Sequence, residues 1–434
     1  AVVFGTTILG SNPSAPAKFM KILQVLKKLF FPFYKSENIK QIFKILNEGT
    51  EEQQAMFVGG SVRKYLLNQK VDDIDIATTL KPNEIIKKFE NSKITVKKTG
   101  IEHGTLTLVL GSNHFEITTL RKDISTDGRH ASVLFTDSWE NDSKRRDFTF
   151  NAIYLDQNGK IFDPQSGVKD LKNKKIKFIG NPDERIKEDY LRILRFIRFS
   201  IEYSNFDFEQ ETLRAIQKNL SGITKLSKER IYSELKKILK LKNFYEIQKN
   251  REFLKIFNLI FPEFKYLDRI TNLSLIIKLK PKISNKNNIL ASLLIDGSNN
   301  HEYFSHKYNI ENETKEHLIF CANHFKEIQV NKNFFKKDLT KNVFIFGKER
   351  VKSLLFLNDV IKKNPKNDEL IKNLSKIENI SIPKFPITGE YLLNKGIKSG
   401  KKMGDAIKEI KSKWLENNFN LDDEQLAKTI KKFK

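Results

Sequence analysis

The sequence predicts an α+β protein, with a mixed-sheet head followed by helices to the C-terminal end. Between about 55 and 180, apolar residues alternate with period two and short turns interrupt them, as in strands with one buried face. From about 182 the apolar spacing becomes helical and stays so. Length sets the scale: 434 residues suggest two to four domains, and a hydrophobic fraction of 39% with 34 Phe supplies apolar surface for their cores.

In the head, AMFVGG (55–60), KITVKKT (93–99), GTLTLVLG (104–111) and HFEITTLR (114–121) read as strands. PNEIIKKFE (82–90) reads as a helix started by Pro82. PDERIKEDYLRILRFIRFSIEY (182–203) places Ile186, Tyr190, Ile193, Leu194 and Ile197 at helical spacing, which predicts one continuous helix. DFEQETLRAIQKNL (207–220) and KERIYSELKKILK (228–240) repeat the pattern. KPKISNKNN (280–288) reads as a connector, and the prolines of IPKFPITG (382–389) interrupt the helices again.

The charge balance is 78 basic against 53 acidic residues, a net +25, and a field of that sign attracts polyanions. No run of about 18 apolar residues exists, so no spanning helix and no membrane partner is expected. MKILQVLKKLFFPFYK (20–35) reads as a helix packed on the body; residues 1–19 lack a basic leader region, and Met20 is an alternative start. The single cysteine, Cys321, allows no internal disulfide and suggests a reducing compartment. The seven histidines show no metal-ligand spacing; His103 and His130 read as structural or RNA-contacting. Only 14 of the basic residues are Arg, and nine of these lie between Arg63 and Arg198. Arg is favoured where a planar bidentate donor meets phosphates or base edges, so chemistry is sought there.

The stretch VDDIDIATT (71–79) puts three acids into five residues of a basic chain. On a strand, Asp73 and Asp75 point to one face while Ile74 and Ile76 anchor the other. Two adjacent carboxylates repel unless a cation joins them, and Mg²⁺ takes such oxygen ligands and completes its shell with phosphate. Asp72 falls on the other parity or in the turn and is excluded. Glu116, alternating with Phe115 and Ile117, offers a third carboxylate. An isolated D-x-D is most often a solvated turn. Here FVGGSVRKYLL (57–67) precedes it: Gly59 and Gly60 allow close backbone approach to a phosphate, a helix starts near Ser61, and Arg63 lies one turn in.

These residues, GGSVR and DIDIATT, resemble the signature of the class II tRNA nucleotidyltransferase and bacterial poly(A) polymerase family. FEITTLRKD (115–123), DGRHA (127–131), RRDFTFNA (145–152), DPQSGVKDL (163–171), EDYLRILRFIRF (188–199) and LSKERIYSELKKIL (226–239) match further blocks in order. The tail from Ile382 is similar to CCA-adding enzymes of the mitochondrial and α-proteobacterial type. Lys64 departs from the pattern, which has Asp after V-R.

The resemblance implies a polymerase β-like nucleotidyltransferase head at 37–181, a base-selecting helical neck at 182–250, a helical body at 251–330 and a tRNA-binding helical tail at 331–434. It implies two Mg²⁺ ions on Asp73 and Asp75 with Glu116 assisting, and CTP, ATP and the acceptor–T arm of tRNA as partners. Beside it, Arg145 and Arg146 read as phosphate clamps and Asp147 or Asn151 as ribose partners. Glu188 is expected to orient Arg192. Asp189, accepting an amino hydrogen, and Arg192, donating to the ring, select C and A and reject the keto groups of G and U. Arg195 and Arg198 bind phosphate or brace acids. Asp127, Gly128 and Arg129 belong to a flexible loop (127–144) used in the switch from C to A. GIKSGKKMG (396–404) lacks P-loop spacing. CCA addition to tRNA is the function expected. Poly(A), CC-only or A-only addition and a non-catalytic RNA-binding relative are the alternatives. Localisation is expected to be cytoplasmic, or mitochondrial in a eukaryote, and oligomeric state is open.

Overall fold

The computed structural model describes residues 32–126, 131–362, 365 and 367–434. Residues 1–19, Met20 and the stretch up to 31, His130, and the loop positions Asp127, Gly128 and Arg129 lie outside the described residues. The chain divides into two compact units, the first ending at Ile238 and the second beginning at Leu239. Head and neck residues up to Ile238 therefore share one unit.

The strands of the first unit are β1 (Ala55–Val58), β2 (Ile74–Thr78), β3 (Thr95–Gly100), β4 (Thr105–Leu110), β5 (Asn113–Thr119), β6 (Arg121–Thr126), β7 (Ala131–Phe135), β8 (Tyr154–Leu155) and β9 (Ile161–Phe162). Seven form a mixed sheet in the order β3-β4-β5-β2-β1-β8-β9, and β6 pairs with β7 separately. Within the larger sheet only β2 and β5 run parallel, with Asp75 opposite Glu116.

Alternation assigns the two faces as the sequence predicts. Phe57, Ile76 and Ile117 are buried on one face, where Phe43 of α1 (Glu37–Leu46) meets Phe57 at 4.6 Å. The helix α2 (Gly60–Leu66) follows β1, and α3 (Pro82–Phe89) starts at the expected proline. On the opposite face Val58, Ala77, Leu120 and Tyr154 cluster beneath Trp139 of α4 (Trp139–Arg145). Asp75 shares that face by parity, so its strand is polar at one end and packed at the other.

Two expectations are corrected. The loop expected at 127–144 contains a strand, β7, and a helix, α4, whose start is capped by the Ser138 hydroxyl accepting from Asn141 N–H. After α5 (Gly167–Lys172), the continuous helix expected at 182–203 is two helices: α6 (Pro182–Glu188) and α7 (Leu191–Tyr203). Asp189 breaks them with an extended backbone (φ −154°, ψ 106°), and its carboxylate accepts from Leu191 N–H, competing with continued helix. The apolar spacing survives the break, because Ile186, Ile193, Leu194 and Ile197 are all fully buried.

The remaining helices of this unit are α8 (Gln210–Asn219) and α9 (Lys228–Leu239). An aromatic core ties α7 to the segment after α4. Phe148 packs on Phe178 (4.8 Å) and Phe199 (5.5 Å), and Phe150 on Phe199 (5.1 Å).

The described part of the second unit is built of helices alone. Lys348–Ile361 is buried along Val351, Leu354, Leu355, Phe356, Leu357 and Val360 and packs against Ile270–Leu279, Lys286–Leu294 and Asn312–Asn323. The break expected at 382–389 separates Asn367–Asn379 from a small tail core of Leu392, Ile397, Ala406 and Ile410. No helix among the described residues is long and apolar enough to cross a membrane. Burial pushes the Cys321 thiol up to about 12.

Gly167 is a test of the packing under the 149–151 turn. A Cβ there would stand 2.2 Å from the Thr149 carbonyl oxygen and 2.8 Å from Phe150 Cα, both backbone atoms. Gly167→Ala is expected to cost about 1–3 kcal/mol in urea unfolding. Gly404→Ala, which meets nothing within 4 Å in a helix, is expected to be neutral or stabilising.

Candidate active site

The acidic stretch separates into two groups. Asp72 pairs with Lys70 (2.8 Å) and Lys64 (3.8 Å), so Lys64, at the position where the resemblance has Asp, serves as its counter-charge. Asp73, exposed just before β2, and Glu116, exposed on β5, have no ion-pair partner among the described residues. Asp75 is half-buried, and its Oδ2 lies against the glycine pair, 3.5 Å from where a Cβ would stand on Gly59 and 3.8 Å for Gly60. The nearby Gly60 main-chain N–H favours its ionised form. Burial and then the neighbouring Glu116 and Asp73 carboxylates raise the Asp75 carboxyl above its ordinary range, with Arg146 opposing them.

Crowded acids of this kind fit a hard cation. Among the described residues no three His, Cys, Asp or Glu side chains form a ready-made cage. The residues that could hold one are the Asp73–Asp75 pair, with Glu116 beside Asp75 in register. Mg²⁺ suits such a set, since it keeps several waters and takes phosphate oxygens instead of requiring an all-protein shell.

The glycine pair thus shapes the seat of Asp75. Gly59 adopts φ +69°, which glycine tolerates and other residues resist, and Ser61 Oγ donates to Val58 O (3.0 Å). Arg63, expected at a phosphate, turns inward and is buried. Its guanidinium donates to Asn151 Oδ1 and lies 4.8 Å from the Phe199 ring centre and 5.2 Å from that of Tyr203.

Asp142 is the residue the sequence reading missed. Its side chain is fully buried. Oδ1 accepts from Arg145 Nε (2.7 Å), and Oδ2 accepts from Arg146 Nη2 (2.9 Å) and the Tyr154 hydroxyl (2.7 Å). Burial alone would raise this carboxyl; Arg146, Arg145 and Tyr154 outweigh it and hold it well below the usual range. The available signal was the i,i+3 and i,i+4 spacing to Arg145 and Arg146. Asp147 is likewise buried. Oδ1 accepts from Asn151 Nδ2 (2.8 Å) and Oδ2 from Arg195 Nε (2.6 Å). Burial is again outweighed, here mainly by Arg195, and the carboxyl is depressed. The two residues expected at the ribose are therefore brought together and bonded to each other.

At and after the α6–α7 break the five expected residues part ways. Glu188 Oε2 accepts from Arg192 Nη1 (2.6 Å), the orientation expected. Arg192 also donates to Arg185 O (2.7 Å). Asp189 does not share a helix face with Arg192; its Oδ2 accepts from Arg230 Nη2 of α9 (2.8 Å), a partner 41 residues away that no local pattern signals. Arg198 Nε donates to Glu234 Oε2 (2.8 Å), so Arg195 and Arg198 both brace acids.

Removing one member of a buried ion cluster strands the others. Asp142→Asn is expected to lower unfolding free energy by about 3–5 kcal/mol. Because folding depresses this carboxyl, its contribution is complete above the unfolded value of about 4 and is lost as pH falls from there toward the folded value. Wild-type stability should therefore drop more steeply in acid than that of Asp142→Asn, as read by denaturant melts between neutral pH and pH about 3.

The family described as Poly A polymerase head domain matches residues 55–177, and that described as probable RNA and SrmB-binding site of polymerase A matches 205–267. The chain is 32% identical over 443 residues to the mitochondrial CCA tRNA nucleotidyltransferase 1 of Homo sapiens, covering 93% of each chain. It is 33% identical over 394 residues to the CCA-adding enzyme of Staphylococcus haemolyticus, covering 86% of this chain and 92% of that one. The fold matches the Bacillus stearothermophilus CCA-adding enzyme in complex with CTP with a TM-score of 0.67 at 22% identity, over 90% of this chain and 96% of that one. With relatives matched across nearly their whole length, and the motif residues gathered on the central strands of the sheet and at one helix break, this chain belongs to the class II CCA-adding tRNA nucleotidyltransferase family.

Proposed function

We propose that this protein adds C, C and A to the 3′ end of tRNA from CTP and ATP, releasing pyrophosphate. The observation that carries the reading is the direct bonding between the base-selecting segment and the arginine pair beside the carboxylates. Arg192, held by Glu188 (2.6 Å), also donates from Nη2 to the Arg145 carbonyl (3.4 Å), and Arg146 acts electrostatically on Asp75.

Two Mg²⁺ ions on Asp73 and Asp75 would supply the Lewis acidity for in-line nucleotidyl transfer. Asp75 lies against the glycine turn, where Gly60 N–H favours its ionised form, and Glu116 adds negative charge beside it in register. Arg145 and Arg146, held from beneath by Asp142, present fixed positive charge to a triphosphate. Asp147 and Asn151 lie next to them as partners for ribose hydroxyls. Asp189 spends one oxygen on Leu191 N–H and one on Arg230. An ionised carboxylate offers about four acceptor positions, so acceptors remain for the amino hydrogen of C or A. A keto oxygen at the same place meets a carboxylate with nothing to donate, which rejects G and U.

The lysine-rich second unit suits binding to the phosphates of a tRNA acceptor–T arm, where A-form geometry leaves shape and backbone contacts to dominate. The finer division into neck to 250, body to 330 and tail to 434 is proposed on the same ground.

The test is a tRNA transcript lacking its 3′ CCA, incubated with Mg²⁺ and CTP, ATP or both, with products sized at one-nucleotide resolution. Two additions with CTP and a third that requires ATP and then stops are expected. A long ladder with ATP alone would make it a poly(A) polymerase. Asp73→Ala, or chelation of divalent ions, is expected to abolish extension while tRNA retention on a filter persists. Extension by Asp73→Ala at the wild-type rate would remove Asp73 from the metal site.

A further inference from the structure

The Arg185 side chain has no role in the reading above, yet it bonds both Glu188 and the main chain of the arginine pair. Its side chain is 12% exposed. Nη2 donates to the main-chain carbonyls of Arg145 (2.6 Å) and Arg146 (2.7 Å). Nη1 donates to Glu188 Oε2 (2.5 Å), the same oxygen that receives Arg192 Nη1 (2.6 Å). Its own carbonyl receives a second bond from Arg192 Nη1 (2.7 Å). Nε is buried without a partner. The guanidinium is thus turned inward along its whole length, and its bonds are made to protein groups.

Two guanidiniums on one carboxylate oxygen is a costly arrangement. Burial and the like charge of Arg192 lower the Arg185 pKa, with Glu188 opposing them. The three acceptors that Arg185 reaches belong to two different segments, the end of α4 with Arg146 and the end of α6. A planar fork with fixed donor directions can bridge them; a single ammonium cannot meet all three.

Resting on the CCA-adding reading, we propose that Arg185 is a positioning residue for nucleotide selection: it fastens Glu188, and through it the Arg192 guanidinium, to the main chain of Arg145 and Arg146. Arg192 then presents its donors at a set distance from the phosphate-binding arginines. Without the clamp Glu188 is held by Arg192 alone, and Arg192 keeps only its bond to the Arg185 carbonyl (2.7 Å) and a long one to the Arg145 carbonyl (3.4 Å), so the pair can shift. Misplacement of about 1 Å in a site of this kind costs up to about a hundredfold in rate. The loss falls on discrimination, because the rejected bases differ from the accepted ones only in donor and acceptor positions.

The experiment compares kcat/KM for CTP against UTP on tRNA lacking CCA, and for ATP against GTP on tRNA ending in CC. Arg185→Met is expected to lower both ratios about tenfold or more, and Arg185→Lys is expected not to restore them. Glu188→Gln should lower the same ratios, and the double variant should be no worse than the poorer single one, since both act through one linkage. Thermal melts accompany each variant. If Arg185→Met does not fold, the Lys variant and the Glu188→Gln comparison carry the test. An equal loss for right and wrong nucleotides, with the ratios unchanged, makes Arg185 merely structural and overturns the inference. A wild-type enzyme that adds no C or A overturns the functional reading and takes this inference with it, so the two failures are told apart by the wild-type lane.

Discussion

The site rests on one buried carboxylate. Asp142 is wholly withdrawn from water, and an ion in that position survives only if its acceptor positions are filled by charged or strongly polar donors. Arg145, Arg146 and the Tyr154 hydroxyl fill them. The consequence is rigidity where catalysis needs it. Arginine side chains are long and lose much freedom when ordered, so a guanidinium held before substrate arrives does not bear that cost during the reaction. Arg146, so held, also opposes the burial and the neighbouring carboxylates that raise the Asp75 carboxyl.

Around this clamp the fold joins two kinds of architecture. The parallel β2–β5 pair sets Asp75 beside Glu116, and the glycine turn after β1 lets Asp75 lie close to a main-chain N–H. The helices contribute through aromatic contacts: Phe148 and Phe150, just past the arginine pair, pack on Phe178 and Phe199. Arg63 inserts its guanidinium among Phe150, Phe199 and Tyr203 and so fastens α2 to α7. Carboxylates, arginine pair and the α6–α7 break are therefore mounted on one packed body, which keeps their spacing constant.

Charge is distributed to match. Only three of the 14 arginines, Arg251, Arg269 and Arg350, lie beyond Ile238. Directional fork-shaped donors are concentrated where individual oxygens must be addressed. Lysines, as mobile point charges, supply the long-range field that draws in a polyanion.

Much of this was legible from residue order. Strand alternation assigned Ile76 and Ile117 to the core and Asp75 and Glu116 to the other face, because side-chain direction in a strand depends only on parity. The glycine turn, the acid pair, the Arg145–Arg146 pair and the helical second half were equally local patterns. Tertiary structure alone decided partner choice. Asp189 was expected to stand with Arg192 on one helix, but it breaks the helix and takes Arg230 from α9; Arg63 was expected at a phosphate, but aromatic rings from distant segments enclose it. Nor did local spacing reveal that Arg185 would bridge Glu188 to the carbonyls of Arg145 and Arg146, some 40 residues back in the chain. Periodicity fixes which way a side chain points, whereas its partner depends on which remote segment packing brings within about 3 Å, and that is a property of the whole fold.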